Sequence, residues 1–113
     1  MPNKNSHRLE MILDSIDKIL DYTKKFKDPD SFNEDIKTFD ATMMNFVIIG
    51  EMVMKLSDEF KNKSSTIDWI KIKTFRNIVA HDYFGIDAEE VWQIIQNDLP
   101  TLKQNIKFVL KNN

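Results

Sequence analysis

The chain has 113 residues, of which 42% are hydrophobic and 30% are charged, with a net charge of −2 and no cysteine. That composition is typical of one folded domain, which we expect to span residues 1–113, and it excludes a disordered chain and a disulfide framework. The longest apolar run covers residues 46–50, whereas a transmembrane helix needs about 20 residues. Neither a membrane segment nor a signal peptide is predicted, so the expected location is the cytoplasm.

The side chains available also limit the chemistry. With no cysteine and only two histidines, His7 and His81, no paired metal-ligand spacing can be written, so neither a metal nor a cofactor is expected. The net charge disfavours nonspecific coating of nucleic acid, which depends on many cations. Residues 61–83, however, carry five cations against two acids, a local balance of +3.

The first half of the chain predicts two helices. The first should begin near Ser6, because apolar residues recur there at three- and four-residue steps, and it should end before residues 28–30, Asp-Pro-Asp. The second is expected to start between Ser31 and Asp35 and to run to about Phe60. Residues 61–65 are predicted to form a polar loop. The first apolar stripe consists of Leu9, Ile12, Leu13, Ile16, Ile19, Leu20 and Phe26.

The second half predicts the remaining helices. A third helix is expected from about Thr66 to about Tyr83, and Asp87 followed by Glu90 is the capping-box pattern of a fourth. Pro100 lies inside that helix and predicts either a kink or a fresh start, capped by Asn97 or Asp98. No strand is predicted. The expected fold is all-α, an antiparallel bundle of four or five helices.

The second helix carries polar residues within an apolar run. Its residues 40, 44, 47, 51 and 54 share one stripe, so Glu51 is either held against Arg76 or a lysine of another helix, or it is solvated. Both alternatives remain open at this point. The methionines of this helix are predicted to be core or dimer contacts: Met43, Met44, Met52 and Met54.

Arg76 and His81 are the residues best suited to chemistry. A guanidinium forks onto phosphate oxygens, and an imidazole can move protons near neutral pH. Together they can cleave RNA without a metal and leave a 2′,3′-cyclic phosphate. Five helical residues correspond to about 7.5 Å of rise and about 140° of rotation, so these two side chains would flank a substrate. Asn77, four residues before His81, could orient the imidazole, although spacing alone also fits residues that only cap a helix end.

The spacing of Arg76, four residues, His81, one residue and Tyr83 resembles the signature of the HepT-like branch of the HEPN superfamily. The resemblance covers nearly the whole chain, and its clearest blocks besides the signature are residues 45–51 (Asn-Phe-Val-Ile-Ile-Gly-Glu), 83–87, 91–92 and 98–100. Several blocks in the right order are far more specific than a single pair of residues.

This resemblance implies a helical homodimer in which two motifs face a shared cleft and act as a metal-independent endoribonuclease toxin, often against tRNA. Arg76 and His81 are then the catalytic candidates, and Asn77 and Glu51 are supporting candidates. It also implies a type VII toxin–antitoxin pair, in which an MNT-type nucleotidyltransferase inactivates the toxin by transferring AMP to the residue at Tyr83. Added bulk and negative charge there would repel RNA phosphates.

Two other functions remain open from the residues alone. The chain could be a noncatalytic subunit that binds a nucleotidyltransferase, or a structural helical dimer in which the motif only packs a helix end. Growth arrest that depends on His81 would exclude the noncatalytic subunit, whereas in a structural dimer His81→Ala would cost stability and nothing else.

Overall fold

The computed structural model of the chain describes residues 4–81 and 85–112, and for residue 75 and residues 78–81 it describes the backbone alone. Within these ranges the chain forms helices and no strand, which confirms the all-α prediction. No helix in the same ranges is long and apolar enough to cross a membrane. The helices are α1 (Lys4–Thr23), α2 (Pro29–Glu34), α3 (Ile36–Lys55), α4 (Asp58–Lys63), α5 (Trp69–His81), α6 (Ala88–Gln93) and α7 (Leu99–Lys111), with a π-helical segment (Ile94–Asp98) between the last two.

The two longest helices, α1 and α3, pack against each other at the centre of the bundle, while α5 packs on α3 and α7 packs on α1. Asn5 near the start of α1 donates to Ser57 just beyond α3, so α1 and α3 are antiparallel. The predicted stripe of α1 faces the core because residues three and four apart share one helix face. Its fully buried members are Leu9, Ile12, Ile16 and Ile19.

The second predicted helix is wrong in its extent, because the chain there forms three helices. The longest of the three, α3, starts where predicted, because Asp35 caps it and accepts from the backbone N–H of Thr38 at 3.1 Å, but it ends at Lys55 rather than at about Phe60. That backbone hydrogen bond is the main cause of the lowered pKa of Asp35. Ser57 caps α4 in the same way, accepting from Phe60 N–H at 3.2 Å. A capping side chain satisfies an N–H that has no partner inside the helix, so each cap starts a new helix.

The loop predicted for residues 61–65 is also wrong, since residues 61–63 belong to α4. The following helix, α5, starts at Trp69 rather than at Thr66. Asp68 explains the difference, because its carboxylate accepts from the backbone N–H of Lys71 at 3.0 Å. The capping group therefore lies two residues beyond the predicted start.

Before Pro100 the chain stays helical but changes from an α-helical to a π-helical hydrogen-bonding pattern. Asp87 starts α6 as predicted and accepts from Glu89 N–H at 2.9 Å. The π-helical segment then precedes α7, which starts afresh with Asp98 in the N-cap position, as one of the two alternatives predicted. No side chain makes a capping hydrogen bond there, so the predicted cap by the side chain of Asn97 or Asp98 is wrong. A π-helical turn is one way for a helix to accommodate a residue without an N–H donor.

The pairing of α3 and α5 positions the candidate site. Gly50 of α3 faces Arg76 of α5, and Val53, one turn further along α3, lines a cleft with residues at the start of α5. A later residue of α3 thus lies beside an earlier part of α5, so the two helices run antiparallel. Of the methionines on α3, Met43 is buried, whereas Met44 is 60% exposed.

Candidate active site

Gly50 and Arg76 mark a place where α3 and α5 approach very closely. A Cβ atom added to Gly50 would lie 2.7 Å from Cγ of Arg76 and closer still to its Cβ. Nonbonded carbon atoms prefer separations of about 3.5–4.0 Å. Any larger residue at position 50 therefore requires α5 to move. Gly50 sets how close the backbone of Arg76 comes to α3.

Glu51, the next residue of α3, binds the Arg76 side chain. Its Oε1 accepts a hydrogen bond from Nε of Arg76 at 3.0 Å, and the two side chains are 39% and 30% exposed, respectively. Of the two alternatives left open by the sequence, the structure places Glu51 against Arg76. An ion pair as exposed as this one contributes only about 0–1 kcal/mol to stability. Its main effect is on the direction of the guanidinium.

The geometry of this pair leaves part of the guanidinium available. Arginine has five N–H donors in a planar fork, and Glu51 engages the one on Nε of Arg76. Nη1 lies 3.5 Å from Oδ1 of Asn77, at the outer limit of a hydrogen bond. The terminal nitrogens can therefore bind phosphate oxygens while Glu51 holds Nε.

The remaining motif residues lie at the end of α5 and beyond it. His81 is the last residue of α5, so its backbone stands five helical residues, about 7.5 Å of rise, from that of Arg76. The predicted contact between Asn77 and the imidazole involves the side chain of His81, which lies outside the described part of the chain. Tyr83, the predicted modification site, also lies outside the described residues.

The basic excess predicted for residues 61–83 is largely offset in the fold by acids outside that range, two of them on α4 itself and two on other elements. Four of the five cations form ion pairs there, whereas Lys73 is exposed and has no acidic partner among the described residues. The pairs are Lys61–Asp58 at 3.7 Å, Lys63–Glu59 at 3.1 Å, Lys71–Asp98 at 3.0 Å and Arg76–Glu51.

Sequence reasoning missed Gly50 as part of the site. The available signal was a glycine in the middle of a helix, which costs about 0.5–1 kcal/mol relative to alanine and so often indicates a packing requirement. What requires the glycine is the first part of the Arg76 side chain on another helix, 26 residues later in the chain. Only the packed structure shows that contact.

Comparison with known proteins identifies the family. The family model described as "Ribonuclease HepT-like" matches residues 12–109. A Methanocaldococcus jannaschii protein named "Putative RNase" is 33% identical over 99% of this chain and 93% of its own length. "Probable ribonuclease HepT" of Thermococcus cleftensis is 33% identical over 96% of this chain and 99% of its own length.

A third relative is a longer protein. It is named "Gamma-glutamylcyclotransferase and putative RNase", also from M. jannaschii, and is 34% identical over 91% of this chain. The match spans only 46% of that relative's length. No solved structure matches the chain. The family match covers most of the helical bundle, including the Gly50–Glu51–Arg76 contact, and the chain therefore belongs to the HepT-like ribonuclease family.

Proposed function

We propose that the chain is a metal-independent endoribonuclease with Arg76 and His81 as its catalytic residues. The observation that carries the proposal is the arrangement of Arg76 at a partly exposed position. Glu51 binds its Nε, while its terminal nitrogens have, among the described residues, only the long contact of Nη1 with Asn77. A guanidinium held in this way is suited to a phosphate that gains charge during reaction. The relatives named as RNases match nearly the whole chain and support ribonuclease activity in general.

The proposed reaction uses the ribose next to the scissile phosphate as nucleophile. The imidazole of His81 takes the proton of the 2′-hydroxyl, and the 2′-oxygen attacks phosphorus. The bond from phosphorus to the 5′-oxygen breaks, and this oxygen leaves with a proton from an imidazolium or from water. Arg76 binds the nonbridging oxygens as their charge increases. The products are a 2′,3′-cyclic phosphate and a 5′-hydroxyl, with Asn77 as a candidate to orient the imidazole.

A second copy of the chain is part of the proposal. Met44 is 60% exposed on α3, and the antiparallel pairing of α3 with α5 places this half of α3 beside the end of α5 that contains His81. Methionine is enriched in protein interfaces, where its flexible side chain fills irregular gaps. A homodimer formed across this surface would bring two motifs to one cleft, as the family resemblance implies.

The direct test is cleavage of RNA by the purified chain in the presence of a chelator. We expect cleavage with cyclic-phosphate ends and a solution mass of two chains by light scattering. His81→Ala, purified in parallel, should be inactive and still folded, which controls for contaminating nucleases. Equal activity of the variant would refute the mechanism. A wild-type chain that cleaves no RNA but binds a nucleotidyltransferase would favour the noncatalytic subunit instead.

Regulation by AMP transfer is a separate part of the proposal. We expect an MNT-type nucleotidyltransferase to add AMP to Tyr83, because the adduct would bring bulk and negative charge to a site that binds phosphates. Intact-mass measurement after coexpression with such an enzyme should show one or more AMP adducts. The adduct should be lost in Tyr83→Phe and retained in Tyr22→Phe, which removes the only other tyrosine. An adduct that persists in Tyr83→Phe would assign the modification elsewhere.

A further inference from the structure

We propose that a cleft beside the Arg76–Glu51 pair binds the RNA nucleotide next to the cleaved phosphate, with Lys73 as its phosphate contact. This inference rests on the proposed ribonuclease function and names a site for its substrate. The cleft has a volume of about 930 Å³ and lies between the end of α3, α4 and the start of α5. Binding sites for small organic ligands commonly measure about 300–1,000 Å³, so a nucleotide can fit.

The cleft lies about one helical turn from Gly50 and Arg76 along the same pair of helices. Val53 and Met54 line it about one turn beyond Gly50 on α3, and Lys73 lines it one turn before Arg76 on α5. Residues three apart on a helix have Cβ atoms about 5–6 Å from each other. An RNA strand whose phosphate binds Arg76 can therefore place its neighbouring phosphate at Lys73 and its base in the cleft.

The lining of the cleft holds two cations, Lys61 and Lys73, and two acids, Asp58 and Asp68, so its net charge is zero and an anion would bind through the local charge of Lys73. Lys61 and Asp58, both in its wall, pair with each other at 3.7 Å. Asp68 is also in the wall, and its carboxylate accepts from the backbone N–H of Lys71. Lys73 has no acidic partner in the described ranges. Its ammonium is thus the positive charge in this wall that a phosphate can neutralise.

The other lining residues suit an unstacked base. Met54 and Ile70 are 45% and 81% exposed and offer apolar surface to the face of a base. Asn62 and Thr66 can hydrogen-bond a base edge or a ribose hydroxyl. Trp69 is nearly buried, and its indole N–H donates to the carbonyl of Ser64 at 3.2 Å. Binding should therefore rely on the phosphate and on apolar contact, and it requires single-stranded RNA.

The test measures the affinity of the full chain for a fluorescent single-stranded 2′-O-methyl oligoribonucleotide, which has no 2′-hydroxyl to act as nucleophile. Fluorescence anisotropy over a range of salt concentrations gives Kd and its salt dependence. Lys73→Gln should weaken binding about tenfold. It should also reduce the slope of log Kd against log salt by about 0.7, the value for one contact to a single-strand phosphate. Lys73 and Lys107, the residue replaced in the control, both have exposed side chains, so neither substitution disturbs the core.

Lys107→Gln is the matched control, since it removes the same charge from an exposed position on α7 outside the cleft. Equal affinities and slopes for Lys73→Gln and Lys107→Gln would overturn the subsite, even if the wild-type chain cleaves RNA. A change of solution mass in Lys73→Gln, with unchanged affinity, would also overturn it and assign the cleft to contacts between copies. A third outcome separates the two proposals. If Lys73→Gln weakens binding but the wild-type chain cleaves no unmodified RNA, the subsite is supported and the proposed ribonuclease activity is refuted.

Discussion

Arg76→Lys is expected to lower the rate of RNA cleavage about 100- to 1,000-fold, the usual cost of losing one group that stabilises developing charge. Arg76 binds Glu51 through Nε, 3.0 Å from Oε1, and can present its terminal nitrogens to a phosphate at the same time. A lysine ammonium is a single point charge at the end of a flexible chain. The ammonium can pair with Glu51 or with the phosphate, but it has no second set of planar donors with which to bind both at once.

The measurement is kcat and KM on one RNA substrate under chelator. The loss should fall mainly on kcat, because the contact strengthens as the phosphate gains charge. Glu51→Gln should keep most of the activity, since an amide oxygen can still accept from Nε, whereas Glu51→Ala should lose more. Glu59→Ala is the control, as it breaks an exposed ion pair with Lys63 and should leave the rate unchanged. Wild-type kcat in Arg76→Lys would refute the proposed role of the guanidinium.

Gly50→Ala is expected to lower both the free energy of unfolding and the rate of cleavage. Helix propensity alone predicts the opposite sign for stability, a gain of about 0.5–1 kcal/mol. The added Cβ, however, would overlap Cβ and Cγ of Arg76. Overpacking of this kind typically costs about 1–3 kcal/mol. The contact should therefore outweigh the propensity, and α5 should shift away from Glu51.

Thermal or urea unfolding measures the first effect, and the cleavage rate, at a temperature where the variant is fully folded, measures the second. Ile106→Val is the matched control, because Ile106 is fully buried in α7 and its loss of a methyl group costs about 0.5–1.5 kcal/mol. That variant should lose stability and keep its cleavage rate. A Gly50→Ala chain that is more stable than wild type, or equally active, would contradict the role of the close approach.

The sequence predicted the helical elements most reliably where one face of a helix is apolar over several turns. The stripe of α1 is an example, since Leu9, Ile12 and Ile16 are all buried. Helix boundaries were predicted less well around residues 56–66. Ser57 and Asp68 are the caps that start α4 and α5, yet serine and aspartate are also common in loops, so their identity alone does not locate a boundary.

The sequence by itself determined the helical class, the family resemblance and the candidate residues for the chemistry, because periodicity and motif spacing are local properties of the chain. The tertiary structure decided three further features. They are the contact of Glu51 with Arg76, the need for glycine at position 50, and the lack of an acidic partner for Lys73 in the described ranges. Each depends on the distance and angle between two helices. Those quantities follow from how whole helix faces pack, and no short stretch of sequence specifies them.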